Sequence, residues 1–158
     1  VAAGVAQEIE RKFLVKNDSW RSATLHSSEY RQAYLANNER CSVRVRIEGD
    51  QAKLNIKTAT LGVTRGEYEY SLPLHEAKEM LDRICGPALE KTRHLIEYGG
   101  HRWEIDEFHG SNEGLIVAEI ELQSEHEPFE RPSWLGVEVS DDPRYYNVCL
   151  AERPFCDW

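Results

Sequence analysis

The sequence predicts a strand-rich α+β domain, and the pattern of its strands suggests an antiparallel barrel of about eight strands with a few flanking helices. Three observations carry this reading. Short segments alternate charged with apolar residues again and again along the chain. Turn signals such as Gly49-Asp50 and Gly99-Gly100 join neighbouring segments as hairpins, because glycine adopts the backbone angles a tight turn needs. Helical spacing, by contrast, appears only in short stretches between the strands.

Successive side chains of a strand point to opposite faces, so residues two apart share a face about 7 Å apart. In a first strand over 7–16, Glu8, Glu10 and Lys12 therefore line one side and Ile9, Phe13 and Val15 the other. Asn17, Asp18 and Ser19 offer side-chain oxygens to cap a short helix reaching about residue 25. Strands follow at 27–36 and at 41–49, where Arg44 and Arg46 oppose Val43, Val45 and Ile47. In the next, 51–60, Lys53, Asn55 and Lys57 oppose Leu54 and Ile56, and in 63–72 Glu67 and Glu69 oppose Tyr68 and Tyr70.

After Pro73, Leu74, Ala77, Met80, Leu81 and Ile84 fall at helical spacing, and Gly86-Pro87 ends that helix. The strand at 89–98 carries Lys91 and Arg93; the one at 101–108 sets Glu104 and Asp106 against Trp103 and Ile105. At 115–124, Glu119 and Glu121 oppose Ala118, Ile120 and Leu122, and a last strand is expected at 136–140. Asp142-Pro143 starts a final helix in which Tyr146, Val148, Cys149 and Leu150 are placed to pack on the sheet.

A half-buried sheet also alternates apolar with polar residues, so any one segment is explained by a solvated face. Taken together the segments say more. Like charges recur at i and i+2, acidic at Glu67/Glu69 and Glu119/Glu121 and basic at Arg44/Arg46 and Lys91/Arg93, and such pairs ask for an opposite charge or a ligand. A closed sheet has an inside and an outside, and periodicity alone leaves open which of them takes the charges.

With 158 residues, 41% of them hydrophobic, the chain suits one domain with a single core. A net charge of -9 argues against a nonspecific nucleic-acid partner, although a local basic cluster still binds a polyanion. No apolar run approaches the roughly 20 residues a bilayer requires, so no membrane partner is expected and the cytoplasm is the expected location. Cys41, Cys85, Cys149 and Cys156 lack zinc-ligand spacing, and the six histidines are scattered among turns and strand ends, where surface positions are expected. No serine-nucleophile elbow, Walker loop or dinucleotide fingerprint is present.

The series Glu8-x-Glu10-x-Lys12, Arg44-x-Arg46, Asn55-Ile56-Lys57, Glu67-x-Glu69, Lys91-x-Arg93, Asp106 and Glu119-x-Glu121 resembles the CYTH superfamily, the triphosphate tunnel metalloenzymes. The likeness runs in order over nearly the whole domain, taken as 7–151, with 1–6 expected as a flexible N-terminal segment and 152–158 as a tail. It implies a closed antiparallel barrel around a charged tunnel and a divalent-metal-dependent hydrolase of linear triphosphates, inorganic triphosphate first among them. Lys12, Arg44, Arg46, Lys57, Lys91 and Arg93 are then the expected triphosphate cradle, because Lys and Arg hold phosphate oxygens by charge-assisted hydrogen bonds. Glu8, Glu10, Asp106, Glu119 and Glu121 are the expected ligands of Mg²⁺ or Mn²⁺, hard ions that prefer oxygen. Glu8, Glu10 and Lys12 are assigned to catalysis, with Glu67, Glu69 and Lys53 in support.

The same resemblance covers adenylyl cyclases and thiamine triphosphatases, and a noncatalytic polyphosphate- or nucleotide-binding module is a further alternative. For a nucleotide, Tyr30, Tyr34, Trp103 or Phe108 are the candidate stacking residues. The expected partner is a small-molecule triphosphate, and the expected state a monomer or homodimer.

Overall fold

A computed structural model describes residues 6–58 and 63–158. The expected end of the fourth strand at 59–60, and residues 1–5 of the N-terminal segment, lie outside the described residues. Nine strands are present: β1 (Ala6–Val15), β2 (His26–Asn37), β3 (Cys41–Glu48), β4 (Gln51–Thr58), β5 (Thr64–Leu72), β6 (Leu89–Tyr98), β7 (His101–Phe108), β8 (Ile116–Glu121) and β9 (Leu135–Glu138). They pair antiparallel in the order β5-β4-β3-β2-β6-β7-β8-β1, and β1 returns to β5, which closes an eight-stranded barrel. The ninth strand takes over the edge of β1 where β5 leaves it. Along one edge, β1 pairs with β5 through Ala6–Ile9 and then with β9 at Phe13 and Val15.

The charges point inward. Phe13, Ile96, Trp103, Ile105, Ala118 and Ile120 face outward and form one apolar layer with Trp20, Leu122, Trp134 and Leu135. Trp103 is fully buried there, edge-on to Phe13, Phe129 and Trp134, so it is a packing residue rather than a stacking platform. A second outer layer joins Ala33, Val45 and Ala52 to Ala77 and Leu81 of the helix α1 (Leu74–Arg83). Covering the outside with helix and loop is what permits a barrel whose apolar face is its exterior.

Inside, parity places Leu89, Phe108 and Val117 on the same face as the charged residues, at one end of the barrel. With Leu115 they bury Leu150 of the last helix, α2 (Asn147–Glu152), which stoppers that end. Phe108 belongs to this plug and is not free to stack on a base.

The expected final helix is broken in two. A 3₁₀ turn at Pro143–Tyr145, capped by the Asp142 side chain accepting from Arg144 N, precedes α2, and of the four expected packing residues only Leu150 is fully buried. The helix expected after Asn17 is a single 3₁₀ turn, Ser19–Ala23. Gly49 and Gly99-Gly100 sit at positive φ in their hairpins, which is why glycine stands there. Beyond the tail boundary, Phe155 packs against the plug and its N–H donates to Asn112 Oδ1 at 2.8 Å. Of the histidines, His94, His101 and His109 are half-buried and hydrogen-bonded, and the other three are exposed. No helix among the described residues is long and apolar enough to cross a membrane.

Candidate functional site

The inward faces of the barrel enclose a cavity of about 290 Å³ walled almost entirely by ionisable side chains. Eight acidic and eight basic residues share it. Each comes from a strand position fixed by the two-residue period, so closure of the barrel brings together groups that lie more than a hundred residues apart in the chain.

On the β1 side, Glu8 accepts from Lys57 Nζ at 2.9 and 3.0 Å and from Arg65 Nε at 3.3 Å. Glu67 lies 3.7 Å from Lys57. Burial alone raises a carboxyl, but hydrogen bonding with Glu67, together with the charges of Lys57 and Arg65, outweighs it and holds Glu8 near 2. Hydrogen bonding with Glu8, and then burial, push Glu67 up to about 7. Lys12 Nζ reaches Glu119 at 3.2 Å, and its backbone N–H donates to Ser140 Oγ.

On the β6 side, Asp106 is wholly buried between two cations. It accepts from Lys91 Nζ at 2.7 Å and from Arg93 through Nε at 2.7 Å and Nη2 at 2.9 Å. Burial lowers Lys91 to about 8 in spite of the Asp106 charge. Arg93 also reaches Glu104 at 2.7 Å and Glu119 at 3.3 Å, so Glu119 links the two sides; burial opposes its ionisation, but Lys12 and Arg93 hold it well below the usual range. At the rim, Glu69 accepts from Asn55 at 2.8 Å and pairs with Lys53 at 3.3 Å.

Three wall groups stand apart. Among the described residues, Arg44, Glu10 and Glu121 make neither a hydrogen bond through their side chains nor an ion pair, although Arg44 is a buried guanidinium. Glu10 and Glu121 are direct cross-strand partners, while Arg44 lies three strands round the wall from β1. Burial, and then the charges of Glu119 and Glu8, push Glu10 up to about 7, and Glu121 is raised by burial, Glu8 and Glu104. A cation between these carboxylates would offset the repulsion and burial that raise them. Among the described residues no three His, Cys, Asp or Glu side chains form a cage by themselves. One or two carboxylates, with water and phosphate oxygens completing the shell, is the donor set Mg²⁺ takes, so the residues fit such an ion.

The expected cradle residues Lys12, Arg44, Arg46, Lys57, Lys91 and Arg93 all line the cavity, as do Glu8, Glu10, Glu119, Glu121, Glu67, Glu69 and Lys53. Asp106 does not: it lies behind the wall, bonded to Lys91 and Arg93. Arg65, Glu48 and Glu104 are further wall residues outside the expected site set, though each extends a named motif by two positions. Asn147, whose Oδ1 accepts from Lys91 Nζ at 3.0 Å, and Ser140 enter from the closing segment and carry no signal in the strand pattern.

The CYTH domain model matches residues 6–146. An inorganic triphosphatase of Acetivibrio thermocellus is 43% identical over 96% of this chain and 97% of its own length. One of Nitrosomonas europaea is 34% identical over 91% and 96%. A crystal structure of an inorganic triphosphatase superposes with a TM-score of 0.68 at 33% identity, covering 91% of this chain and 97% of the other. A Hippeastrum protein described as a putative adenylyl cyclase with dominant triphosphatase activity shares the fold, with a TM-score of 0.60 at 15% identity over 74% of this chain.

Proposed function

Because the chain belongs to the CYTH domain family, we propose that it is a divalent-metal-dependent hydrolase of linear triphosphates that cleaves inorganic triphosphate to phosphate and diphosphate. The observation that carries the reading is the trio without ion pairs: a buried cation on one wall and two adjacent carboxylates on another. A triphosphate with its metal ion satisfies both at once. The relatives named inorganic triphosphatases support the same substrate.

In this reading Arg44, Arg46, Lys91 and Arg93 hold phosphate oxygens at one end, and Lys12 and Lys57 at the other, each by charge-assisted hydrogen bonds. Glu10 and Glu121, with Glu8 and Glu119 beside them, hold Mg²⁺ or Mn²⁺, which when bound neutralises phosphate charge and lowers the pKa of a bound water. Glu8 and Glu10 orient the attacking water in line with a terminal phosphorus, while the cations stabilise charge gathering on the leaving diphosphate. Glu67 and Glu69 support this set by holding Lys57 and Lys53. Asp106 acts behind the wall, fixing Lys91 and Arg93. A cytoplasmic location and a monomer or homodimer complete the proposal.

The test is product analysis with Mg²⁺ and Mn²⁺ supplied separately, for inorganic triphosphate, ATP and thiamine triphosphate in parallel. Preferential release of phosphate and diphosphate from inorganic triphosphate is expected. Cyclic AMP from ATP, a preference for thiamine triphosphate, or binding without turnover each overturns the assignment in a different direction.

A further inference from the structure

Tyr30 stands on β2 between the two strands that carry most of the cradle, opposite Glu48 of β3 and Lys91 of β6. Its ring centre is 5.1 Å from the guanidinium carbon of Arg46, 5.1 Å from that of Arg93 and 5.8 Å from Lys91 Nζ. Three cations from two strands thus gather on one aromatic ring, itself half-buried in the cavity wall. Asp106 neutralises charge behind Lys91 and Arg93, and Glu48 pairs with Arg46, but among the described residues only the ring lies against all three. The ring's negative quadrupole attracts cations in directions a carboxylate cannot serve without competing with phosphate for hydrogen-bond donors.

We infer that Tyr30 is a positioning residue: its ring holds Arg46, Lys91 and Arg93 convergent without itself taking any of the N–H donors that phosphate oxygens would use. This rests on the reading of the cavity as a triphosphate site. A ring engaged in this way is also not available to stack on a nucleobase, the part Tyr30 was expected to play for a nucleotide.

The experiment measures KM and kcat for inorganic triphosphate with Mg²⁺ in Tyr30→Phe, Tyr30→Leu and proteins carrying mono-, di- and trifluorinated phenylalanine at position 30. Tyr30→Phe is expected to match the unaltered protein. Tyr30→Leu is expected to raise KM about tenfold with a much smaller change in kcat, and KM is expected to climb with each added fluorine, which drains the ring's charge while nearly keeping its shape. An unchanged KM in Tyr30→Leu, or fluorinated rings indistinguishable from Phe, overturns the inference while leaving the triphosphatase reading standing. If Tyr30→Leu does not fold, the fluorinated series decides alone. If the unaltered protein binds triphosphate without cleaving it, the hydrolase reading fails and the same ranking is read from calorimetric Kd. Absence of triphosphate binding overturns both.

Discussion

Asp106 accepts two hydrogen bonds from Arg93, at 2.7 and 2.9 Å, from a position with no exposure to solvent. Lys91 donates to the same carboxylate, so one negative charge serves two buried cations. Asp106→Asn keeps the shape, strips buried Lys91 of its carboxylate partner and leaves Arg93 to Glu104 and Glu119, a loss of about 3–5 kcal/mol. Urea unfolding reads this directly. The Mg²⁺ concentration for half-maximal turnover is expected to stay put; a tenfold rise would return Asp106 to the metal shell.

Glu10 ties function to a stability cost. Its carboxyl is raised to about 7 by burial and by Glu119 and Glu8, so between its ordinary value of 4.5 and about 7 the folded protein binds more protons than the unfolded chain. Stability from this group is full below the lower value and is lost as pH rises through the upper one. Without metal, Glu10→Gln is therefore expected to melt higher than the unaltered protein at pH 8 and no higher at pH 5. The difference is several degrees, at about 2–4 °C per kcal/mol for a chain of this size. Its turnover with Mg²⁺ is expected to fall about 100-fold or more. Undiminished turnover removes Glu10 from the reaction.

Arg44 has the opposite character, a buried cation with no ion-pair partner among the described residues. Arg44→Met removes an uncompensated charge, so melting temperature is expected to hold or rise. KM for triphosphate is expected to rise about 10–100-fold, the worth of one or two charged hydrogen bonds. A fall in stability with unchanged KM would make Arg44 a structural residue.

Triphosphate itself is a probe of the folded state. At a hundred times its Kd, a ligand bound only by the native protein stabilises it by about 2.7 kcal/mol, or very approximately 5–10 °C here. Adding a chelator is expected to abolish turnover and to shrink this shift without erasing it, because the cationic wall remains. An unchanged shift separates phosphate binding from metal altogether.

The strand pattern made most of this barrel legible because a two-residue period is a geometric fact: once Glu8, Glu10 and Lys12 share a face, Arg44, Lys57 and Glu119 are found the same way. What parity omits is depth along the barrel axis. The resemblance to the CYTH family implies Asp106 as a ligand; Phe108 two residues on belongs to the apolar plug, and Asp106 sits at the boundary between plug and cavity, bonded to Lys91 and Arg93. Arg65 was within reach of the same rule, two positions before Glu67. Asn147 was not, since it arrives from a helix whose approach depends on tertiary packing around Leu150.

The plug of Leu89, Phe108, Val117 and Leu150 makes the barrel a cul-de-sac at that end. A long polyphosphate chain cannot be threaded past those side chains and trimmed link by link, as rope is fed through a block. Each cut must be followed by retreat, so the two products leave by the side on which the substrate entered, and the shorter fragment, if it is the deeper one, has to wait for the longer to clear its way.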